Sequence, residues 1–198
     1  MQRIVVATGN AGKLAEFRAL FATEPVDLVS QRDVAVPDAD ETGASFLENA
    51  LIKARHAARA TGLPALADDS GLCVDALDGA PGVYSARYAG EGASDAAHRA
   101  LLLAELAGVP DALRTARFVC VLVFLRHPED PRPIVAEAEW AGSIARAERG
   151  AGGFGYDSLF EVHGTGLTAA ELAPAEKQRL SHRGQALRSL LERLAAAD

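Results

Sequence analysis

The sequence predicts an α/β protein on a mixed β-sheet, and three observations carry that prediction. Over the first half of the chain, short apolar runs alternate with stretches of helical periodicity, the pattern of strands joined by helical crossovers. The longest strand signal, Ala116 to Leu125, is followed by a turn at His127 to Pro131 and a second extended run, Ile134 to Trp140, which reads as a hairpin. Hydrophobic residues make up 49% of the 198, ample for a core, and the length suits a single domain over residues 1–198.

The elements follow in order. Arg3 to Ala7 is a buried strand, and Ala11 to Phe21 a helix with Leu14, Phe17, Leu20 and Phe21 on one face. Val26 to Ser30 is a second strand, and Pro37 to Gly43 an acidic loop. Ser45-Phe46-Leu47-Glu48 is a capping box, so a helix starts there; it runs to Thr61, where Gly62 and Pro64 end it. Ala65 to Ala67 is a short strand leading into Asp68-Asp69-Ser70-Gly71, which taken alone favours a turn. Leu72 to Asp75 is extended, Asp78 to Gly82 a turn, and Asp95 to Leu106 a helix closed by Gly108. Gly150 to Gly155 is a glycine-rich loop, Thr168 to Glu171 offers a further helix cap, and Gln185 to Ala195 is a final amphipathic helix preceded by Ser181-His182-Arg183.

A net charge of −7 and a pI near 5.3 argue against a long nucleic-acid duplex as partner but leave room for a small phosphate ligand. No apolar run approaches the roughly 20 residues needed to cross a bilayer, and the N-terminal apolar run is too short for a signal peptide, so a cytoplasmic location is expected. Cys73 and Cys120 lie in apolar strand-like runs at no zinc-ligand spacing and are expected to be free thiols in the core.

Lysine is used at only three of the twenty basic positions, Lys13, Lys53 and Lys177, and each lies in a polar cluster. A lysine is a compact point charge suited to phosphate, where arginine is a planar fork. Thr8-Gly9-Asn10-Ala11-Gly12-Lys13 joins a strand to a helix and fits an anion site at the helix start, although the Walker spacing is absent. It fits equally a helix capped by Asn10 with a solvated Lys13. Asn49 and Lys53 share a helix side with apolar residues, an odd place for a solvated cation, though a snorkelling lysine also fits. Asp68 and Asp69 alternate on a strand, so one of them with Glu41 suffices for Mg²⁺, which takes one or two protein carboxylates beside phosphates and water. Phe154-Gly155-Tyr156-Asp157 offers a ring that can stack on a base, or a packed loop aromatic. His182 and Arg183 offer donors to a base carbonyl, or simply a surface helix start.

Together the segments TGNAGKLAEF (8–17), ETGASFLENALIKA (41–54), ADDSGLCVDALDGAPGVYSARYAG (67–90), GGFGYD (152–157) and AAELAPAEKQRLSHRGQAL (169–187) resemble the inosine triphosphate pyrophosphatase family, which acts on noncanonical purine nucleoside triphosphates. The bacterial XTP/dITP diphosphatases are the most similar members. The resemblance implies two lobes around a long central mixed sheet with flanking helices, a nucleotide cleft between the lobes, and a homodimer. It implies Mg²⁺-dependent hydrolysis of ITP, dITP and XTP to the monophosphate and pyrophosphate. It places the triphosphate on Thr8, Gly9, Asn10, Ala11, Gly12 and Lys13 with Lys53, and the metal on Glu41 and Asp69, with Asp69 as proton acceptor. The other implied substrate contacts are Ser70, Phe154, Gly155, Tyr156, Asp157, Lys177, His182 and Arg183. One departure is visible: the family usually reads FGYDP, and here Ser158 stands in place of that proline.

Overall fold

The computed structural model describes residues 2–22 and 24–196. Six strands form one hydrogen-bonded sheet in the order β2-β1-β3-β4-β5-β6. They are β1 (Gln2–Ala7), β2 (Val26–Ser30), β3 (Ala65–Val74), β4 (Thr115–Leu125), β5 (Ile134–Ile144) and β6 (Phe160–Val162). β1 pairs in parallel with β2 and β3, and β5 pairs antiparallel with β6, so the sheet is mixed as expected. The helices are α1 (Ala11–Leu20), α2 (Phe46–Thr61), α3 (Asp95–Glu105), α4 (Pro174–Leu180) and α5 (His182–Ala195). Short 3₁₀ turns lie at Asp75–Leu77, Gly82–Arg87 and Asp111–Leu113.

The chain divides into two compact units. The first takes the residues up to Asp69, Cys120–Ala138 and those from Arg183 onward; the second takes Ser70–Val119 and Glu139–His182. β3, β4 and β5 contribute residues to both. Each unit has its own core. In the first, Ile4 and Val6 of β1, Phe17 of α1, Leu66 of β3, Leu122 and Phe124 of β4, and Leu187 and Leu190 of α5 pack together. In the second, Leu72 and Val74 of β3, Leu102 of α3, Phe118 of β4, Trp140 of β5 and Phe160 of β6 do so.

Local chemistry sets the boundaries near the candidate residues. Asn10 caps α1 by accepting from the Lys13 N–H at 3.1 Å. The expected capping box opens α2: Ser45 accepts from Glu48 N–H at 3.2 Å, and Glu48 accepts from Ser45 N–H at 2.9 Å. Gly62 closes α2 at φ +68°, a left-handed conformation that glycine adopts without a Cβ penalty. The buried side of α2 is Asn49 and four alanines, which admit close approach.

Four expectations need correction. Asp68-Asp69-Ser70-Gly71 is not a turn: β3 runs unbroken from Ala65 to Val74, with β1 and β4 as neighbours. β1 pairs with its Ala65–Ala67 stretch, β4 neighbours it on the other side, and cations meet both carboxylates, which together override the turn propensity of those residue types. The last helix begins at His182 rather than Gln185, so His182 and Arg183 lie in its first turn. No helix starts at Thr168. Glu171 accepts from its N–H at 2.7 Å to close a turn, and the next helix begins at Pro174, whose missing N–H suits a first-turn position. β5 also extends four residues beyond Trp140, to Ile144. Among the described residues, no helix is long and apolar enough to cross a membrane.

Candidate active site

Parallel pairing of β1 with β3 sets Ala7 opposite Ala67, so the chain leaves β1 through Thr8 alongside Asp68. Thr8 Oγ1 accepts from Asn10 N–H at 3.1 Å and shapes the bend into α1. One turn into α1, Lys13 extends to Asp68, Nζ to Oδ1 at 2.5 Å. Its side chain is 16% exposed, so of the two sequence readings the cap is correct for Asn10 and the solvated lysine is not.

Asp68 is completely buried and receives a second cation, Arg183 of α5, whose Nε donates to Oδ2 at 2.7 Å. Arg183 Nη1 meets Glu16 of α1 at 2.5 Å. Burial alone would raise the Asp68 carboxyl, but Arg183 and Lys13 outweigh it and hold the group well below the usual carboxylate range. Cys120 Sγ lies 3.4 Å from Asp68 Oδ2, and burial pushes its thiol well above the ordinary value. Cys120 is thus a buried free thiol, as expected, while Cys73 is half-buried.

The alternation of β3 sends Asp69 to the other face. There Lys53 Nζ lies 2.6 Å from Asp69 Oδ1 and 3.1 Å from Glu41 Oε1, so one ammonium bridges two carboxylates. Burial pushes the Asp69 carboxyl up and nearby Glu41 adds to this, against the pull of Lys53. Burial would lower Lys53, but Asp69 and Glu41 prevail and raise it. Asn49, fully buried on α2, fixes the Glu41 loop by accepting from Gly43 N–H at 2.8 Å. A Cβ on Gly43 would fall 2.7 Å from that oxygen. The sequence places Asn49 on the Lys53 side of α2 and Asp68 beside Asp69, but neither the Asn49–Gly43 hydrogen bond nor the Lys13–Asp68–Arg183 grouping is visible in it.

These donors fit a hard divalent cation. Asp69 Oδ2 is buried with no hydrogen-bond partner, and Glu41 stands at the same ammonium. Two carboxylates match Mg²⁺, which fills its remaining positions with phosphate and water oxygens. Among the described residues no group of three His, Cys, Asp or Glu side chains is arranged to hold a metal.

The second unit holds the remaining candidates. Lys177 of α4 reaches Asp157 Oδ2 at 2.6 Å, and the same oxygen accepts from Phe154 N–H at 2.8 Å. Lys177 Nζ also stands 5.1 Å from the centroid of the Phe154 ring, which is 36% exposed. The Tyr156 ring is committed to the core, its hydroxyl donating to Ser85 O at 2.9 Å. His182 is buried and stacks on Phe118 with centroids 4.8 Å apart and planes inclined by 12°. Ser70 follows Asp69 in β3. Thus Thr8 to Lys13, Glu41, Lys53, Asp69 and Arg183 share the first unit, and Phe154 to Asp157, Lys177 and His182 the second.

The sequence matches the Ham1 family over residues 4–193. The chain belongs to the Ham1 family. A dITP/XTP pyrophosphatase of Shigella flexneri is 58% identical over 98% of each chain. Among solved structures, a HAM1 protein from Coxiella burnetii matches with a TM-score of 0.93 at 49% identity, covering 99% of this chain and 100% of that one. A nucleoside-triphosphatase / dITP/XTP pyrophosphatase from Mycobacterium abscessus matches with a TM-score of 0.77 at 50% identity, covering 96% and 99%. Ham1 relatedness therefore extends over the whole set of candidate side chains.

Proposed function

We propose that this chain hydrolyses dITP, XTP and ITP to the nucleoside monophosphate and pyrophosphate, with Mg²⁺ as cofactor, clearing them from the nucleotide pool. The observation that carries the reading is the Asp69–Lys53–Glu41 group, with one buried carboxylate oxygen left unpartnered, in a chain whose relatives bear that activity in their names. In this proposal the Thr8 to Lys13 bend receives the triphosphate through backbone N–H groups and the Lys13 ammonium. Lys53 turns part of its charge from the carboxylates to the phosphate oxygens.

Glu41 and Asp69 would hold Mg²⁺, which when bound neutralises charge on the triphosphate. Asp69 accepts the proton of the attacking water as general base. The water oxygen bonds to the α-phosphorus, the bond from that phosphorus to the α,β-bridging oxygen breaks, and pyrophosphate leaves with the bridging electrons. The Phe154 ring serves the nucleoside as a stacking surface, and Lys177 with Asp157 fixes the loop that carries it. His182 donates to the 6-keto oxygen of hypoxanthine or xanthine. Adenine offers an amino group there and leaves the donor unpaired, a penalty large enough to discriminate. Arg183, engaged by Asp68 and Glu16, acts in part by holding the Lys13 side of the site.

The resemblance also supports a homodimer and a cytoplasmic location, and sedimentation of the purified protein tests the first. The decisive experiment measures pyrophosphate release from dITP, XTP, ITP and the four common triphosphates, with Mg²⁺ and with EDTA. The expected result is rapid turnover of the first three, abolished by EDTA and restored by Mg²⁺. Equal turnover of ATP and ITP, full activity in EDTA, or tight dITP binding without hydrolysis overturns the proposal.

A further inference from the structure

One residue of the loop bearing Phe154 is held through both of its backbone polar groups by a single helix. Gly155 N–H donates to Asp95 Oδ2 at 2.8 Å, and Gly155 C=O accepts from Arg99 Nη1 at 2.8 Å. Asp95 and Arg99 are four residues apart in α3 and therefore share a face. Arg99 Nε also forms an ion pair with Glu148 Oε2 at 2.9 Å, without the alignment of a hydrogen bond, and Ser158 Oγ donates to that same oxygen at 2.9 Å. The segment 154–158 is thus anchored before Tyr156 by α3 and after Asp157 through Glu148. Gly155 is left-handed at φ +61°, a region that glycine enters without a Cβ penalty, so no side chain of its own restrains the loop at this point.

We infer that Asp95 and Arg99, joined to Ser158 through Glu148, form a brace that fixes the Phe154 ring for the nucleoside and thereby sets substrate affinity. The inference rests on the proposed role of Phe154. The brace touches no reacting atom, so these are positioning residues. Their loss raises KM while leaving the chemistry on Asp69 intact.

The test pairs hydrogen exchange of segment 150–160 with dITP kinetics in the wild type and in Arg99→Gln, Arg99→Lys, Asp95→Asn and Ser158→Ala. In Arg99→Gln, exchange of this segment is expected to accelerate about tenfold while other segments stay as in the wild type. KM is expected to rise about fivefold or more with kcat within about twofold. Arg99→Lys keeps a donor for the Gly155 carbonyl and recovers part of both effects. Ser158→Ala, a milder cut in the same chain, shows the trend even where Arg99→Gln folds poorly. Unchanged exchange in Arg99→Gln and Asp95→Asn overturns the brace, and faster exchange with unchanged KM overturns its positioning role. If the wild type hydrolyses no triphosphate, the functional reading falls, and exchange alone then decides the brace.

Discussion

Asp68 and Asp69 are consecutive in β3 yet answer to different lysines, Asp68 to Lys13 at 2.5 Å and Asp69 to Lys53 at 2.6 Å. The period-two alternation of a strand divides the pair into two jobs. Asp68, fully buried between Lys13 and Arg183, has its oxygens taken and serves to place two cations. Asp69 keeps one oxygen without a partner, the feature on which its proposed role as base rests.

Asp68→Asn tests the first job. Removing one partner of a buried ion pair leaves uncompensated charge, so a stability loss of about 3–5 kcal/mol at neutral pH is expected from urea denaturation. The sign with pH follows from the depressed carboxyl. A group whose folded pKa lies below its unfolded value stabilises above the unfolded value, about 3.9, and loses that contribution as pH falls through the folded one. The gap between wild type and variant should therefore be constant from about pH 7 to 5 and shrink below about pH 4. A gap that widens in acid contradicts the assignment.

Asp69→Asn tests the second. The amide keeps shape and an oxygen for Lys53 but cannot accept the proton, so kcat should fall by about 10² to 10⁴. Nucleotide binding, followed calorimetrically, should persist. A rate near that of the wild type removes Asp69 from the role of base.

Much of this was legible in the residues. The capping box of α2, the Gly62 stop and the Asn10 cap are local signals, and the structure reproduces them because their hydrogen bonds close within four residues. What was not legible depends on distant partners. Asp68-Asp69-Ser70-Gly71 has turn composition, and its place in β3 beside β4, with cations of α1, α2 and α5 on its carboxylates, makes it a strand. The helical start of Arg183 is hidden likewise, since its guanidinium is satisfied by residues far away in sequence, Glu16 and Asp68. The α3 hold on Gly155 joins residues about sixty apart, with no pattern linking them.

Arginine in place of each lysine keeps the charge and changes its shape. Lys53 meets Asp69 at 2.6 Å and Glu41 at 3.1 Å from one atom, whereas a guanidinium spreads its donors over a plane. Lys177 likewise serves Asp157 and the Phe154 ring from one ammonium. Lys13→Arg, Lys53→Arg and Lys177→Arg are each expected to lower kcat/KM for dITP about tenfold or more, equivalent to about 1.4 kcal/mol. Full activity in all three shows that a point charge is not required.

Two neighbouring glycines separate backbone freedom from space. Both are left-handed, Gly153 at φ +75° and Gly155 at φ +61°. A Cβ on Gly155 meets nothing within 4 Å, so Gly155→Ala bears only the conformational cost of about 1–2 kcal/mol. A Cβ on Gly153 would fall 2.1 Å from Asp157 Oδ2 and 3.0 Å from Lys177 Nζ. That carboxylate is buried and tied to both Lys177 and the Phe154 N–H, so it cannot simply swing aside. Gly153→Ala should therefore break those ties, adding about 1–3 kcal/mol to the same conformational cost. In thermal unfolding, each kcal/mol lowers Tm by about 2–4 °C in a chain of this size, so the two variants should be distinguishable. KM for dITP should rise more in Gly153→Ala than in Gly155→Ala, because only the former displaces the Asp157 carboxylate that holds the Phe154 N–H. Equal effects on Tm and KM would mean that the Lys177–Asp157 pair does not hold the loop.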